Sequence, residues 1–220
     1  MKGRIFTEQE RQILADIIVH RRTEPVAKFI NKEIPDTIIE HLLFAALHAP
    51  SVGFSQPWEF VIIRDPSIKA KIKASFEREN EKAKEIFKDR PLPHQFQLIG
   101  TGINITPVNI AVFYKPSPNP VLGQTCTDKV GPYSVCLAIQ NLWLMARAEN
   151  IGVGWVSILD EKEVKTILNA PPENELIAYL CLGYVTEFTE TERPMLEIAN
   201  WEKRKLKEAV IYYDSYQNRE

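Results

Sequence analysis

The chain has 220 residues, 45% hydrophobic and 25% charged. It is therefore long enough to bury a core without disulfide or metal staples, and its globular composition excludes a disordered chain and a fibrous repeat. A formal net charge of −2 gives no long-range attraction for nucleic acid or an anionic membrane, so local arginine clusters matter more than the total.

Residues 1–10 lack the apolar run of a secretory signal. The first helix is announced by a capping box, Thr7 with Glu10, followed by an apolar stripe of Ile13, Leu14, Ile17 and Ile18. It runs to His20, Arg21 and Arg22 and must stop before Pro25. A second helix starts near Pro35 and Asp36, carries Ile38, Leu42, Leu43, Ala46 and Leu47 on one face, and ends at Ala49 and Pro50. Residues 50–58 are non-helical and lead into a strand over Phe60–Ile63. Ser67 caps a charged helix with Ile68, Ile72 and Phe76 at spacing four, extending toward Phe87, and a loop with Arg90-Pro91-Leu92-Pro93-His94 follows. A strand is expected from Pro107 to Tyr114.

Residues Tyr133 to Arg147 form a helix apolar almost all round, which places it at the centre of a domain or a subunit interface. The longest apolar stretch, Val135–Ala146, is too short to span a bilayer and is interrupted by Gln140 and Asn141. Gly152 reads as a stop signal. Val153–Ile158 is a strand, Glu161–Leu168 a short helix and Ile177–Tyr184 a last strand. The tail from Thr186 to Glu220 is polar, with Trp201, Tyr212 and Tyr213 as anchors. The elements do not alternate in βαβ rhythm, so an α+β layered fold is expected, as one domain over residues 1–220. The polar tail needs a surface to dock on, and a second subunit would supply one.

Cys126, Cys136 and Cys181 are odd in number, widely spaced and without a C-x-x-C pair. They indicate neither a disulfide framework nor a zinc site, and point to a reducing, cytoplasmic location. The four histidines make no metal constellation; His41 and His48 lack a third ligand at useful spacing. The absence of G-x-G-x-x-G, P-loop and G-x-S-x-G motifs disfavours a dinucleotide fold, a kinase and a serine hydrolase.

Three segments have chemical potential. Arg21-Arg22, at a chain reversal, suits a phosphate dianion, although taken alone the pair reads as cations complementing a helix dipole. Residues 49–58, Ala-Pro-Ser-Val-Gly-Phe-Ser-Gln-Pro-Trp, bring rigid backbone together with Ser51, Ser55 and Gln56, as the edge of a planar heteroaromatic ligand requires. Gly152-Val153-Gly154 can mark close approach of a ligand to a strand. Ser157, polar within an otherwise buried run, is either bonded to nearby backbone or part of the site.

These segments resemble the nitroreductase superfamily of FMN proteins. The longer strings, 49–58, Tyr133–Cys136, Gln140–Leu144, Gly152–Ile158 and Tyr179–Tyr184, resemble its 5,6-dimethylbenzimidazole synthase branch. The resemblance implies a mostly antiparallel sheet flanked by helices in an intertwined homodimer, with FMN at the subunit interface. Carried over by position, Arg21, Arg22 and Arg204 hold the phosphate. Ser51, Gly53 and Gln56 line the isoalloxazine and ribityl groups, and Gly154 and Ser157 lie near the ring. The branch consumes reduced FMN with O2, releasing dimethylbenzimidazole, the lower ligand of cobalamin, with reduced flavin supplied by a separate NAD(P)H flavin reductase.

The branch motif reads Arg-Arg-Asp-Val-Arg, whereas this chain reads Arg21-Arg22-Thr23-Glu24-Pro25. Thr23 takes the aspartate's place and is no base near neutral pH. Glu24 is therefore the expected carboxylate, with Thr23 and Ser157 as the other candidate catalytic residues. The alternatives are an NAD(P)H-dependent nitro- or flavin reductase and a flavin-storage protein. The charged segment from Glu77 to Arg90 and the loop after it are the expected lid.

Overall fold

A computed structural model describes residues 3–86, 102–127, 129–189 and 193–216. Contacts divide the chain into two compact units, Met1–Glu190 and Thr191–Glu220.

The larger unit is a four-stranded sheet, wholly antiparallel, with β1 (Trp58–Ile63), β2 (Val108–Tyr114), β3 (Gly152–Val156) and β4 (Glu175–Gly183) in the order β1-β2-β4-β3. Period-two alternation splits β2 between two cores. Val108, Ile110 and Val112 face a layer made by α2 (Asp36–Leu47) and α4 (Val130–Ala148), where Leu42, Ala46, Ile139 and Leu142 are fully enclosed. Ala111 and Phe113 face the opposite layer, with Ile72 and Phe76 of α3 (Pro66–Ile86), backed by α5 (Glu161–Leu168).

α1 (Glu8–His20) starts at the complete capping box: Glu10 N–H donates to Thr7 Oγ1 at 3.3 Å and Thr7 N–H to Glu10 Oε2 at 2.8 Å. It buries no side chain in this chain, and Ile13, Leu14 and Ile18 are about half exposed. The buried face of α2 is Ile39, Leu42 and Ala46, while Leu47, expected inside, is exposed. α4 covers one flank of α2, and that flank is narrower than the run of apolar positions.

Four expectations are corrected. The α3 cap is Asp65, not Ser67: its carboxylate accepts from Ser67 N–H at 2.7 Å, and a charged acceptor at the helix start is the stronger cap. α4 is not enclosed on every side. Tyr133, Cys136, Leu137 and Gln140 form an exposed stripe, because sheet and α2 cover only the other faces. Gly152 does not stop α4, which ends at Ala148; Asn150, at φ 56°, makes the turn and Gly152 opens β3. Ser157 lies past the end of β3 and is exposed, so it does not sit within a buried run.

The smaller unit holds one helical turn, α6 (Met195–Ile198), entered through Pro194, and a 3-10 turn at Lys207–Ala209. Tyr213, expected as an anchor, is exposed. The expected end of α3 at Phe87 and the Arg90–His94 loop lie outside the described residues, as does the lid segment beyond Ile86. Among the described residues no helix is long and apolar enough to cross a membrane, and no group of three His, Cys, Asp or Glu side chains is placed to hold a metal. The three cysteines are free thiols.

Candidate functional site

The arginine pair sits where α1 ends. Arg21 is the C-cap, its N–H bonded to Ile17 O at 3.0 Å, and its guanidinium lies 4.9 Å from the centre of the Trp143 ring on α4. Burial, and then the adjacent Arg22, lower its pKa. Arg22 Nη1 donates to Val19 O (2.5 Å) and Arg21 O (2.7 Å), so it does serve the helix end. Arg21 does not: its cation is held against an aromatic face beside a like charge, and an anion would offset the repulsion.

The chain then runs extended along the outer edge of β3. Thr23 forms a parallel bridge with Val153, and Glu24 N–H donates to Val153 O at 3.2 Å. Successive side chains of an extended segment point to opposite faces; here Thr23 is exposed and Glu24 is 2% exposed. Glu24 Oε2 accepts from the Thr189 hydroxyl at 3.1 Å, whereas buried Oε1 has no hydrogen-bond partner among the described residues. Burial raises the Glu24 pKa, against the opposing influence of Thr189, Lys28 and Arg147.

Two glycines of β3 differ in what they accommodate. A Cβ on Gly152 would come within 2.7 Å of Val185, 3.1 Å of Phe29 and 3.3 Å of Glu24 Cγ, so the chain's own packing demands glycine there. A Cβ on Gly154 would meet nothing nearer than the Glu24 carbonyl at 4.0 Å, so the packing leaves that space open.

The loop before β1 is preset. Gly53 (φ 54°), Phe54 (φ 53°) and Gln56 (φ 47°) are all left-handed, a conformation that costs ordinary residues about 1 kcal/mol each. Two serines hold it. Ser51 Oγ accepts from Gln56 N–H (3.1 Å), while Ser134 of α4 accepts from Val52 N–H (3.1 Å) and donates to Val130 O (2.8 Å). Gly53 is required by the chain itself, because a Cβ there would fall 2.6 Å from Leu122 O. Ser55, Gln56 and Pro57 line a cleft of about 210 Å³ together with Tyr114 and Gln124. A neighbouring cavity of about 790 Å³ extends toward Lys129, Tyr133 and Glu175. Sequence reasoning missed Ser134; the available signal was a serine standing inside an apolar helical run.

The expected residues therefore gather in two places. Arg21, Arg22, Thr23 and Glu24 lie with Gly152 and Gly154 by the C-terminal half of α4, and Ser157 follows the end of the same strand. Ser51, Gly53 and Gln56 lie by Ser134 in its N-terminal half. Ser134 and Trp143 are nine positions apart, about 14 Å along a helix axis. Arg204 is an exposed residue of the smaller unit.

Residues 18–184 match the sequence model of the nitroreductase family, three-quarters of the chain. The chain belongs to the nitroreductase family. Both groups of site residues fall inside the matched span, and Arg204 falls outside it. Within the family the chain is 34% identical over 200 residues to the 5,6-dimethylbenzimidazole synthase of Rhodobacter capsulatus, covering 90% of this chain and 95% of that one. It is 36% identical over 205 residues to the synthase of Rhodospirillum rubrum, covering 92% and 95%. An oxidized iodotyrosine deiodinase crystallised with FMN and 3-iodo-L-tyrosine shares the family fold, with a TM-score of 0.69 at 22% identity over 92% of this chain and all of that one.

Proposed function

We propose that this nitroreductase-family chain is a 5,6-dimethylbenzimidazole synthase. The observation that carries the reading is the identity of 34–36% to two such synthases over nine-tenths of this chain and 95% of theirs.

The residues suit FMN. Half-buried Arg21 beside Arg22 matches a phosphate dianion, the space at Gly154 accommodates a flat ring against backbone, and the preset 51–56 loop offers polar groups to a ring edge. Since the arginines and the loop serve opposite halves of α4, one flavin takes its phosphate ligands from one protomer of a homodimer and its loop contacts from the other. The exposed apolar faces of α1 and α4 are the surfaces that bring two protomers together.

Reduced FMN, when bound, supplies the ring system that is fragmented with O2 to give dimethylbenzimidazole; a separate NAD(P)H flavin reductase provides it in reduced form. The protein's own part is to bind, exclude water and move protons. Glu24 is the proton-transfer group: its buried Oε1 has no hydrogen-bond partner among the described residues, and burial raises its pKa. Thr23 and Ser157, both exposed in the single chain, contact the flavin. A second reading, a nitro- or flavin reductase, is favoured by one observation: the position of the branch aspartate holds Thr23.

The deciding experiment incubates the protein anaerobically with reduced FMN, admits air and separates the products by HPLC against a dimethylbenzimidazole standard. The synthase yields a protein-dependent peak at the standard's position, and Glu24→Gln lowers it by about 10²-fold or more. Simple reoxidation to FMN in wild-type protein sinks the synthase reading in favour of the reductase. An undiminished peak in Glu24→Gln removes Glu24 from the mechanism.

A further inference from the structure

After β4 the chain forms a strap that runs back beside the segment carrying Glu24. Three backbone links define it: Ile30 N–H donates to Tyr184 O (3.0 Å), Thr186 N–H donates to Lys28 O (2.9 Å), and Phe29 bridges Val185. These links pair Tyr184–Thr186 with Lys28–Ile30. Three residues beyond that pairing, the Thr189 hydroxyl donates to the Glu24 carboxyl at 3.1 Å.

The direction of that hydrogen bond is set from behind. Lys28 Nζ lies 3.5 Å from Thr189 Oγ1 and can only donate, so the threonine oxygen accepts from lysine and its proton points to Glu24 Oε2. Lys28 is in turn held by Glu187 of the same strap, at 3.5 Å. The order is thus Glu187, Lys28, Thr189, Glu24. One carboxyl oxygen is engaged by this chain of contacts and the other, Oε1, has no hydrogen-bond partner among the described residues. Charged groups acting on the carboxyl come from two elements: Lys28, in the 3-10 turn Val26–Lys28, and Arg147 of α4. Arg147 is itself directed elsewhere, to His20 O, Asn150 Oδ1 and the Phe188 ring. On the remaining side stands Gly152, where a Cβ would fall 3.3 Å from Glu24 Cγ.

We propose that Thr189 is a positioning residue of the site: its hydroxyl, oriented by Lys28, fixes the Glu24 carboxyl so that Oε1 alone is presented for proton transfer. The assignment rests on the reading of Glu24 as the proton-transfer group. It adds a residue outside the family-matched span, which ends at residue 184. A valine at 189 keeps the shape and loses the hydroxyl. A serine keeps the hydroxyl and loses the methyl.

The test has one arm without flavin and one with it. In the first, infrared difference spectra of flavin-free protein across pH follow the carboxyl band that disappears in Glu24→Gln. A hydrogen bond to the ionised carboxylate favours ionisation, so Thr189→Val moves the midpoint of this band to higher pH and Thr189→Ser returns it. In the second arm, the limb of the pH profile for dimethylbenzimidazole formation moves the same way in Thr189→Val and returns in Thr189→Ser. An unmoved infrared midpoint overturns the proposal, and so does a moved midpoint with an unmoved pH profile, which would make Thr189 structural only. If wild-type protein forms no dimethylbenzimidazole, the synthase reading fails on its own, and the flavin-free arm still decides whether Thr189 governs the carboxyl.

Discussion

Single atoms separate the two glycines of β3. Gly152→Ala forces a methyl against Val185, Phe29 and Glu24, an overpacking expected to destabilise the protein by about 1–3 kcal/mol. Gly154→Ala has room in the chain, so its flavin-free melting temperature is expected to match wild type. FMN titration should then show affinity reduced by about tenfold or more, the methyl occupying space the ring needs. Equal melting temperatures for the two variants would contradict the assignment. Glu24 carries a second consequence. Its folded-state pKa is raised above 4.5 by burial, so the native state binds this proton more tightly than the unfolded chain. Below the ordinary glutamate range both states are protonated and burial costs little. As pH rises through the folded-state value the buried charge becomes a growing penalty. Melting curves should therefore find Glu24→Gln more stable than wild type at neutral and alkaline pH, with the gap closing toward pH 4. A gap independent of pH would mean that the carboxyl is not desolvated.

Among the elements, α4 runs past both groups of candidate residues, and its exposed stripe has the clearest consequence. Leu137 is 46% exposed in the single chain, so Leu137→Asp should leave the folded protomer almost undisturbed, within about 0.5 kcal/mol. If this stripe seats a second protomer, light scattering will find the variant monomeric and FMN binding lost with the dimer. A dimer that survives Leu137→Asp places the interface elsewhere. The same helix shows how far the elements were legible in the amino-acid sequence. Period and caps located it to within a few residues, because the i, i+3, i+4 pattern is a local property. Which face stays open depends on what packs against it, and no local pattern records that. Ser134 was unread for a related reason: its value lies in Val52, 82 positions away. Residue types single out the 49–58 loop as a candidate, whereas Arg21 and Arg22 taken alone read as cations at a helix end. Gly53 carries a structural requirement that no local pattern records: besides its φ of 54°, a Cβ there would meet Leu122 and Val121.

For the whole molecule, arginines and loop on opposite halves of one helix make a sharp experiment possible. Let one variant carry Arg21→Ala with Arg22→Ala, and another Ser51→Ala with Gln56→Ala. Each homodimer should bind FMN weakly. When the two are unfolded together and refolded as a mixture, the mixed dimer contains one site assembled wholly from unaltered parts. FMN titration should then recover wild-type affinity at up to a quarter of all sites, by random pairing of equal amounts. A mixture that binds no better than its parents would mean that each site is built within one chain.

The thiols bear on durability. Wherever a reduced flavin meets O2, hydrogen peroxide is a by-product to be survived, and thiolate is the form of cysteine that peroxide attacks. Cys181, in the central strand β4, is fully enclosed, and burial pushes its thiol up to about 12, so it stays protonated and out of reach. Oxidative wear on this protein should therefore begin at the exposed thiols, Cys126 and Cys136, and leave the sheet intact.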